Sequence, residues 1–258
     1  MSIDEYLMNN SILNTIGNTP LVEIKKLNSN PKVKVLAKLE YFNPGGSIKD
    51  RPALYMIEAA EKSGELNPNK TVLEATSGNT GIGLALICGI KGYRLLLVMS
   101  DSVSTERRKI LKARGAEILL TPGHLGTDGA IEEAYRLARE NPGRFFMVDQ
   151  FNNDANWKSH YHGTAEEIWQ QSGSAVTTFI DCLGTSGTLM GVSRKLKQLN
   201  PAVQIIGVEP YLGHKIQGLK NMKEAYRPGI FEKQRLDKKV NIDDEEAFEM
   251  ARSLASTE

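Results

Sequence analysis

Thr71-Val-Leu-Glu-Ala-Thr-Ser-Gly-Asn-Thr-Gly-Ile-Gly-Leu-Ala-Leu-Ile-Cys-Gly-Ile-Lys-Gly-Tyr-Arg-Leu-Leu-Leu-Val-Met99 holds, in order, a β-rich run, a glycine loop, an apolar helical pattern and a second β-rich run. A strand that feeds a helix and then another strand is the repeating unit of a parallel sheet. The same alternation runs outward in both directions. Strands are predicted over residues 33–39, 71–75, 94–99, 117–120, 145–149, 176–181 and 204–209. Helices are predicted over 50–63, 80–91, 105–114, 127–141, 155–171, 188–198 and 244–254. The expected class is therefore α/β, with mostly parallel sheets wound by helices on both faces. Ligands in such sheets bind beyond the carboxyl ends of the strands, so the loops found there carry the functional reading.

Three of those loops have unusual composition. The first, Asn43-Pro-Gly-Gly-Ser-Ile-Lys-Asp-Arg51, ends in the first turn of a predicted helix. Lys49 is placed where the helix dipole opposes a positive charge, and burial there would lower its pKa and free its amine for a Schiff base. The second, Thr76-Ser-Gly-Asn-Thr-Gly81, combines two glycines with hydroxyls and helix-start amides, a donor set suited to a carboxylate. The third, Gly184-Thr-Ser-Gly-Thr188, offers amides and three hydroxyls to an anion such as a phosphate monoester. It has neither the lysine of a nucleotide P-loop nor the spacing of a dinucleotide fingerprint. A Schiff-base lysine together with a phosphate cradle points to a cofactor bearing an aldehyde and a phosphate, which describes pyridoxal 5′-phosphate.

Composition removes other classes. Lys plus Arg total 32 against 31 Asp plus Glu, a net charge of +1, so nothing favours a nucleic-acid partner. The two cysteines, Cys88 and Cys182, form no CxxC pair and imply neither a disulfide framework nor a zinc site. The N-terminal Met-Ser-Ile-Asp-Glu-Tyr lacks a signal pattern, and the apolar stretch 81–90 is far short of the roughly 20 residues a membrane span needs. A cytoplasmic protein without a membrane partner is expected.

The three loops, with Asn14-Thr-Ile-Gly-Asn-Thr-Pro-Leu21, Asp149-Gln-Phe-Asn-Asn153, Gly207-Val-Glu-Pro210 and His214-Lys-Ile-Gln-Gly218, resemble the cysteine synthase (O-acetylserine sulfhydrylase) family of fold-type II pyridoxal-phosphate enzymes. Ser186, Arg51-Pro52 and Ser159-His-Tyr-His162 look more like its B-type branch. The resemblance implies two doubly wound domains of the tryptophan synthase β kind. A large one would comprise residues 1–42 and 146–258, and a small mobile one residues 43–145. It implies that Lys49 carries the cofactor and moves the Cα proton. Asn79 would bond the ring hydroxyl, and Gly184, Thr185, Ser186, Gly187 and Thr188 would hold the phosphate. Thr76, Ser77, Thr80 and Gln150 would receive the substrate carboxylate. Lys220 could recognise the phosphate of O-phosphoserine. The implied reaction is β-replacement on O-acetylserine or O-phosphoserine by a sulfur nucleophile, through an aminoacrylate, to give L-cysteine. The implied partners are a second copy of the chain and a serine acetyltransferase or sulfur-carrier protein. The family pattern continues past Thr257-Glu258 with a serine segment facing the pyridine nitrogen and with further large-domain elements. The C-terminal part of that domain is thus expected to lie outside this chain, leaving the 258-residue polypeptide poorly soluble or weak in cofactor binding.

Competing readings use the same residues differently. Cystathionine β-synthase shares the chemistry but often carries an N-terminal haem-binding extension. An NAD-dependent oxidoreductase would use Gly78-Asn-Thr-Gly-Ile-Gly83 and Asp101, but its glycine spacing is wrong and it leaves Lys49 idle. A non-catalytic relative of the fold is the third. Elsewhere, His160 and His162 have no further ligands for a metal and read as structural. Cys88, Cys182, Trp157 and Trp169 read as packing residues. The charged segment 232–246 reads as a solvated surface.

Overall fold

The computed structural model describes residues 11–258. By contact these form two compact units, the first of residues 11–16 and 43–156, the second of 17–42 and 157–258. In chain order, β1 (Leu21–Ile24) and β2 (Val35–Lys38) come first and pair antiparallel within the second unit. The chain then builds the first unit from α1 (Asp50–Ser63), β3 (Thr71–Ala75), α2 (Asn79–Lys91), β4 (Arg94–Ser100) and α3 (Thr105–Ala113). β5 (Glu117–Thr121), α4 (Gly126–Glu140) and β6 (Phe145–Met147) follow, and α5 (Asp154–Ser159) leads back to the second unit. That unit continues with a π-helical turn (His160–Thr164), α6 (Ala165–Gln171), β7 (Thr178–Cys182) and α7 (Gly187–Leu199). It ends with β8 (Gln204–Pro210), β9 (Lys238–Ile242) and α8 (Asp244–Thr257).

In the first unit the sheet order is β5-β4-β3-β6, parallel throughout. Every residue of β3 is buried because it is a central strand in an α/β layer, where both faces are covered. Val72 and Leu73 are fully buried, each stabilising by about 1.5–3 kcal/mol. The core adds Met56 and Ile57 from α1, Leu84 and Ile87 from α2 and Leu97 from β4. The second unit has its own parallel sheet, β7-β8-β9, and a core of Ile168, Leu183, Leu189, Met190, Val192 and Ile205. Trp157 and Trp169 pack against that core, with the Arg194 guanidinium 4.1 Å above the Trp157 ring. The mostly parallel α/β class holds in both units.

Several expectations need correcting. The segment Phe145–Met147 pairs with β3, and Phe146, Val148 and Ala155 join the first unit's core, so that unit runs to 156 rather than 145. Leu13 packs in the same core, which draws residues 11–16 away from the unit that holds 17–42. The single helix over 155–171 is α5, a π turn and α6. Here α7 presses on the turn: a Cβ on Gly191 would stand 2.7 Å from His160 Cβ and 2.8 Å from Tyr161 N. Within the charged 232–246 segment, Lys238–Ile242 is β9, paired parallel to β8. Pairing to a neighbouring strand overrode its surface-like composition. Cys182 is exposed rather than packed, because β7 is an edge strand whose Thr178, Ile180 and Cys182 share an open face. Among the described residues no helix is long and apolar enough to cross a membrane.

Candidate active site

In the first unit, the lysine loop is wound tightly onto the start of α1. The Gly45 N–H donates to Asp50 Oδ2 at 2.5 Å, and the Gly46 N–H to the Asn43 carbonyl at 2.7 Å. Gly46 has φ 85°, a left-handed conformation that glycine adopts without strain. Asp50 is completely buried, and Lys49 itself is half-buried at the N-cap of α1. The start of α2 lies against this turn. A Cβ on Gly83 would stand 3.2 Å from the Lys49 carbonyl oxygen and 3.1 Å from Asp50 Oδ1. A side chain there would need its neighbours to shift by a few tenths of an ångström, so the glycine eases the close approach of the two helix starts. The juxtaposition places the 76–81 loop beside the lysine turn.

That loop opens α2 with Gly78 at the N-cap and no side chain capping the helix amides. Thr76 Oγ1 accepts from the Gly78 N–H at 3.2 Å, while Asn79 is exposed and Ser77 half-buried. Thr80 is buried, and its hydroxyl donates to Gln150 Oε1 at 2.7 Å. Gln150 follows β6 and reaches across to Thr80 from a chain reversal at Asp149, whose φ is 51°. Its Nε2 donates in turn to Glu74 Oε1 at 3.1 Å. An amide nitrogen carries two hydrogens, so one donor on Gln150 remains for a ligand. Thus Lys49, Thr76, Ser77, Asn79, Thr80 and Gln150 all belong to one unit, at the carboxyl ends of β3 and β6 and the starts of α1 and α2.

Glu74 was not anticipated. A carboxylate inside a five-residue buried strand, two positions before a glycine loop, was the available signal. Burial, and secondly the Asp149 charge, push its pKa up to about 8. Asp149 in turn accepts from the Tyr135 hydroxyl at 2.9 Å and from Asn152 Nδ2. A groove of about 690 Å³ between β5 and α4, lined by Leu119, Tyr135 and Arg136, contains none of the candidate residues.

In the second unit, the 184–188 loop joins β7 to α7. Ser186 is the N-cap at φ 65°, with no side-chain cap bond, and it is buried. Its Oγ has no hydrogen-bond partner. Gly184 packs so closely on the 218–220 segment that a Cβ would stand 2.5 Å from the Gly218 carbonyl oxygen. The Lys220 N–H donates to the Leu183 carbonyl at 2.8 Å, fastening that segment along the loop. The Lys220 ammonium lies 2.9 Å from Glu224 Oε2. His160, read from sequence as structural, touches the loop: its Nε2 is 3.4 Å from Thr188 Oγ1, and its Nδ1 is 2.9 Å from Thr164 Oγ1. The π turn is what brings both hydroxyls to one imidazole. Among the described residues no group of three or more His, Cys, Asp or Glu is placed to hold a metal ion.

Residues 12–258 match the family of pyridoxal-phosphate dependent enzymes. The chain belongs to that family. It is 46% identical to cysteine synthase B of Pseudomonas aeruginosa over 248 residues, 96% of this chain and 82% of the relative. A solved cysteine synthase (OASS) from Entamoeba histolytica superposes with a TM-score of 0.91 at 39% identity, covering 99% of this chain and 78% of the other. A solved O-ureido-L-serine synthase gives 0.91 at 40%, covering 97% and 81%. The dinucleotide reading gains no support from these relatives. The 184–188 loop fits the family's cofactor chemically: a buried hydroxyl without a partner, beside uncapped helix amides, is a donor set awaiting an anion.

Proposed function

We propose that the chain forms L-cysteine by replacing the β-substituent of an activated L-serine, O-acetylserine or O-phosphoserine, with a sulfur nucleophile. The observation that carries this reading is the packing of the Lys49 turn on the start of α2 through Gly83, which sets an amine-bearing helix start beside the loop read as receiving the substrate carboxylate. The relatives named cysteine synthase support the product. When bound, pyridoxal phosphate supplies an aldehyde for amines and an electron-withdrawing ring that makes a Cα–H bond acidic.

The chain's own residues do the rest. Lys49 would hold the aldehyde covalently. When free, the Lys49 amine would take the proton from Cα and later return one to the same carbon. Thr76, Ser77, Thr80 and Gln150 would bind and orient the substrate carboxylate, so that the Cα–H bond faces the lysine. Asn79 would bond the ring hydroxyl. Residues 184–188, led by Ser186 Oγ, would hold the phosphate. Lys220 would meet a phosphate leaving group only by exchanging Glu224 for it. The reading extends to a cytoplasmic homodimer, to a serine acetyltransferase or sulfur-carrier partner and to closure of the first unit over its substrate; the family resemblance is its support.

The test is reduction with borohydride followed by peptide mass spectrometry, with turnover of O-acetylserine and sulfide. The expected result is a cofactor adduct on Lys49 and loss of cysteine formation in Lys49→Ala. An adduct at another lysine, or full turnover by Lys49→Ala, overturns the assignment.

A further inference from the structure

Glu74 has no role in the proposed chemistry, yet it is a carboxyl group with 1% of its surface exposed, at the end of a central strand. Its Oε1 accepts from Gln150 Nε2, and Gln150 Oε1 accepts from the Thr80 hydroxyl, so a three-residue relay runs from the core to the carboxylate loop. The relay has a direction. With its proton on Oε2, neutral Glu74 presents Oε1 to Gln150 as an acceptor, which matches the amide orientation in which nitrogen faces the strand and oxygen faces Thr80. Glu74 Oε2 has no partner. Burial and the Asp149 charge outweigh the bonds from the Gln150 side chain and from the Gln150 and Asp149 backbone, which favour the ionised form, so the neutral acid is favoured.

We infer that Glu74 is a positioning residue for substrate binding: it fixes the Gln150 amide, and it does so productively only while uncharged. The inference rests on reading Gln150 and Thr80 as side chains that receive the substrate carboxylate. A negative Glu74 would stand one amide away from that carboxylate, in surroundings that screen charge poorly. The titratable groups facing Glu74 are Asp149, beyond β6, and Tyr135 on α4; β4 presents the apolar Leu97 in register with it. Asp149 is already a negative neighbour, so ionising Glu74 would put a second negative charge beside the site. With a pKa near 8, the change falls in a pH range where turnover is measurable.

The experiment compares wild type, Glu74→Gln and Glu74→Met over roughly pH 6.5 to 9.5, the range set by that shift. Gln reproduces the shape of the protonated acid and cannot ionise, and Met removes the bond to Gln150. The ratio of KM for O-acetylserine in Glu74→Gln to that in wild type cancels every other titration. It is expected to sit near unity at the acidic end and to fall several-fold at the alkaline end, as the wild-type KM rises. Glu74→Met is expected to raise KM at every pH with kcat changed little. A pH-independent ratio, or a Glu74→Met loss confined to kcat, overturns the inference. A second readout needs no turnover. Because the folded-state pKa is raised, the wild type binds an extra proton between the unfolded value of 4.5 and about 8, and loses stability across that window as pH rises. Glu74→Gln is expected to lack this loss, and parallel stability profiles overturn the inference. Should wild type fail to turn over O-acetylserine, the functional proposal fails while the stability comparison still decides the protonation of Glu74. If Glu74→Gln does not fold, the infrared carbonyl band of a buried acid in wild type, lost with a midpoint near pH 8, takes its place; its absence at neutral pH overturns the inference.

Discussion

Replacing Ser186 with alanine separates ligand binding from stability. Its hydroxyl is buried at 3% exposure with no partner, so the free protein bears the cost of an unsatisfied polar group. That cost is about 1–3 kcal/mol, against which the lost contacts of one oxygen are small. Ser186→Ala is therefore expected to stabilise the cofactor-free protein by about 1 kcal/mol, a rise in Tm of roughly 2–4 °C. The backbone strain of φ 65° is unchanged by this substitution, so it does not contaminate the comparison. With a phosphate bound, the sign reverses. A hydrogen bond to a charged group contributes about 1.5–3 kcal/mol, so Kd for pyridoxal phosphate should rise roughly 10- to 150-fold. Thermal unfolding without cofactor and an absorbance titration with it measure the two halves. A destabilised free variant would show that the hydroxyl is satisfied within the chain. An unchanged Kd would remove Ser186 from the phosphate site.

Two further substitutions or probes test the packing around the site. Gly191→Ala would drive a methyl group into the π turn, 2.8 Å from Tyr161 N, where the neighbour is backbone and cannot rotate away. A loss of at least about 1–3 kcal/mol in the denaturant midpoint is expected, and a neutral result would show that the turn yields. Native thiol titration should find one accessible cysteine, Cys182, slowed because burial and the Asp181 charge hold its pKa up. Cys88, 1% exposed and with burial pushing its thiol up to about 12, should react only on unfolding; equal native rates for both would contradict the packing of α2.

The bounds of α1 and β3 were legible residue for residue, because each is framed by strong local signals. Pro-Gly-Gly precedes one and Gly64 closes it, and a run of apolar β-formers between a polar turn and a glycine loop defines the other. The 43–51, 76–81 and 184–188 segments were legible as loops that open helices for the same reason: glycines, hydroxyls and helix-start amides mark them locally. What sequence could not reveal depends on partners distant along the chain. β9 is a strand only because β8 lies beside it, and its Lys238-Lys-Val-Asn-Ile242 composition does not announce this. The π turn at 160–164 exists where α7 presses on it through Gly191, and only that bulge turns His160 toward Thr188. Glu74 and Gln150 are 76 residues apart, and their bond forms because β3 and β6 are neighbours in the sheet. Composition and spacing thus determined the class of fold and the chemistry of the loops, which are properties of short segments. Only the tertiary structure decided which buried side chains hold those loops in place, since burial and hydrogen-bond partnership arise between segments and leave no local trace.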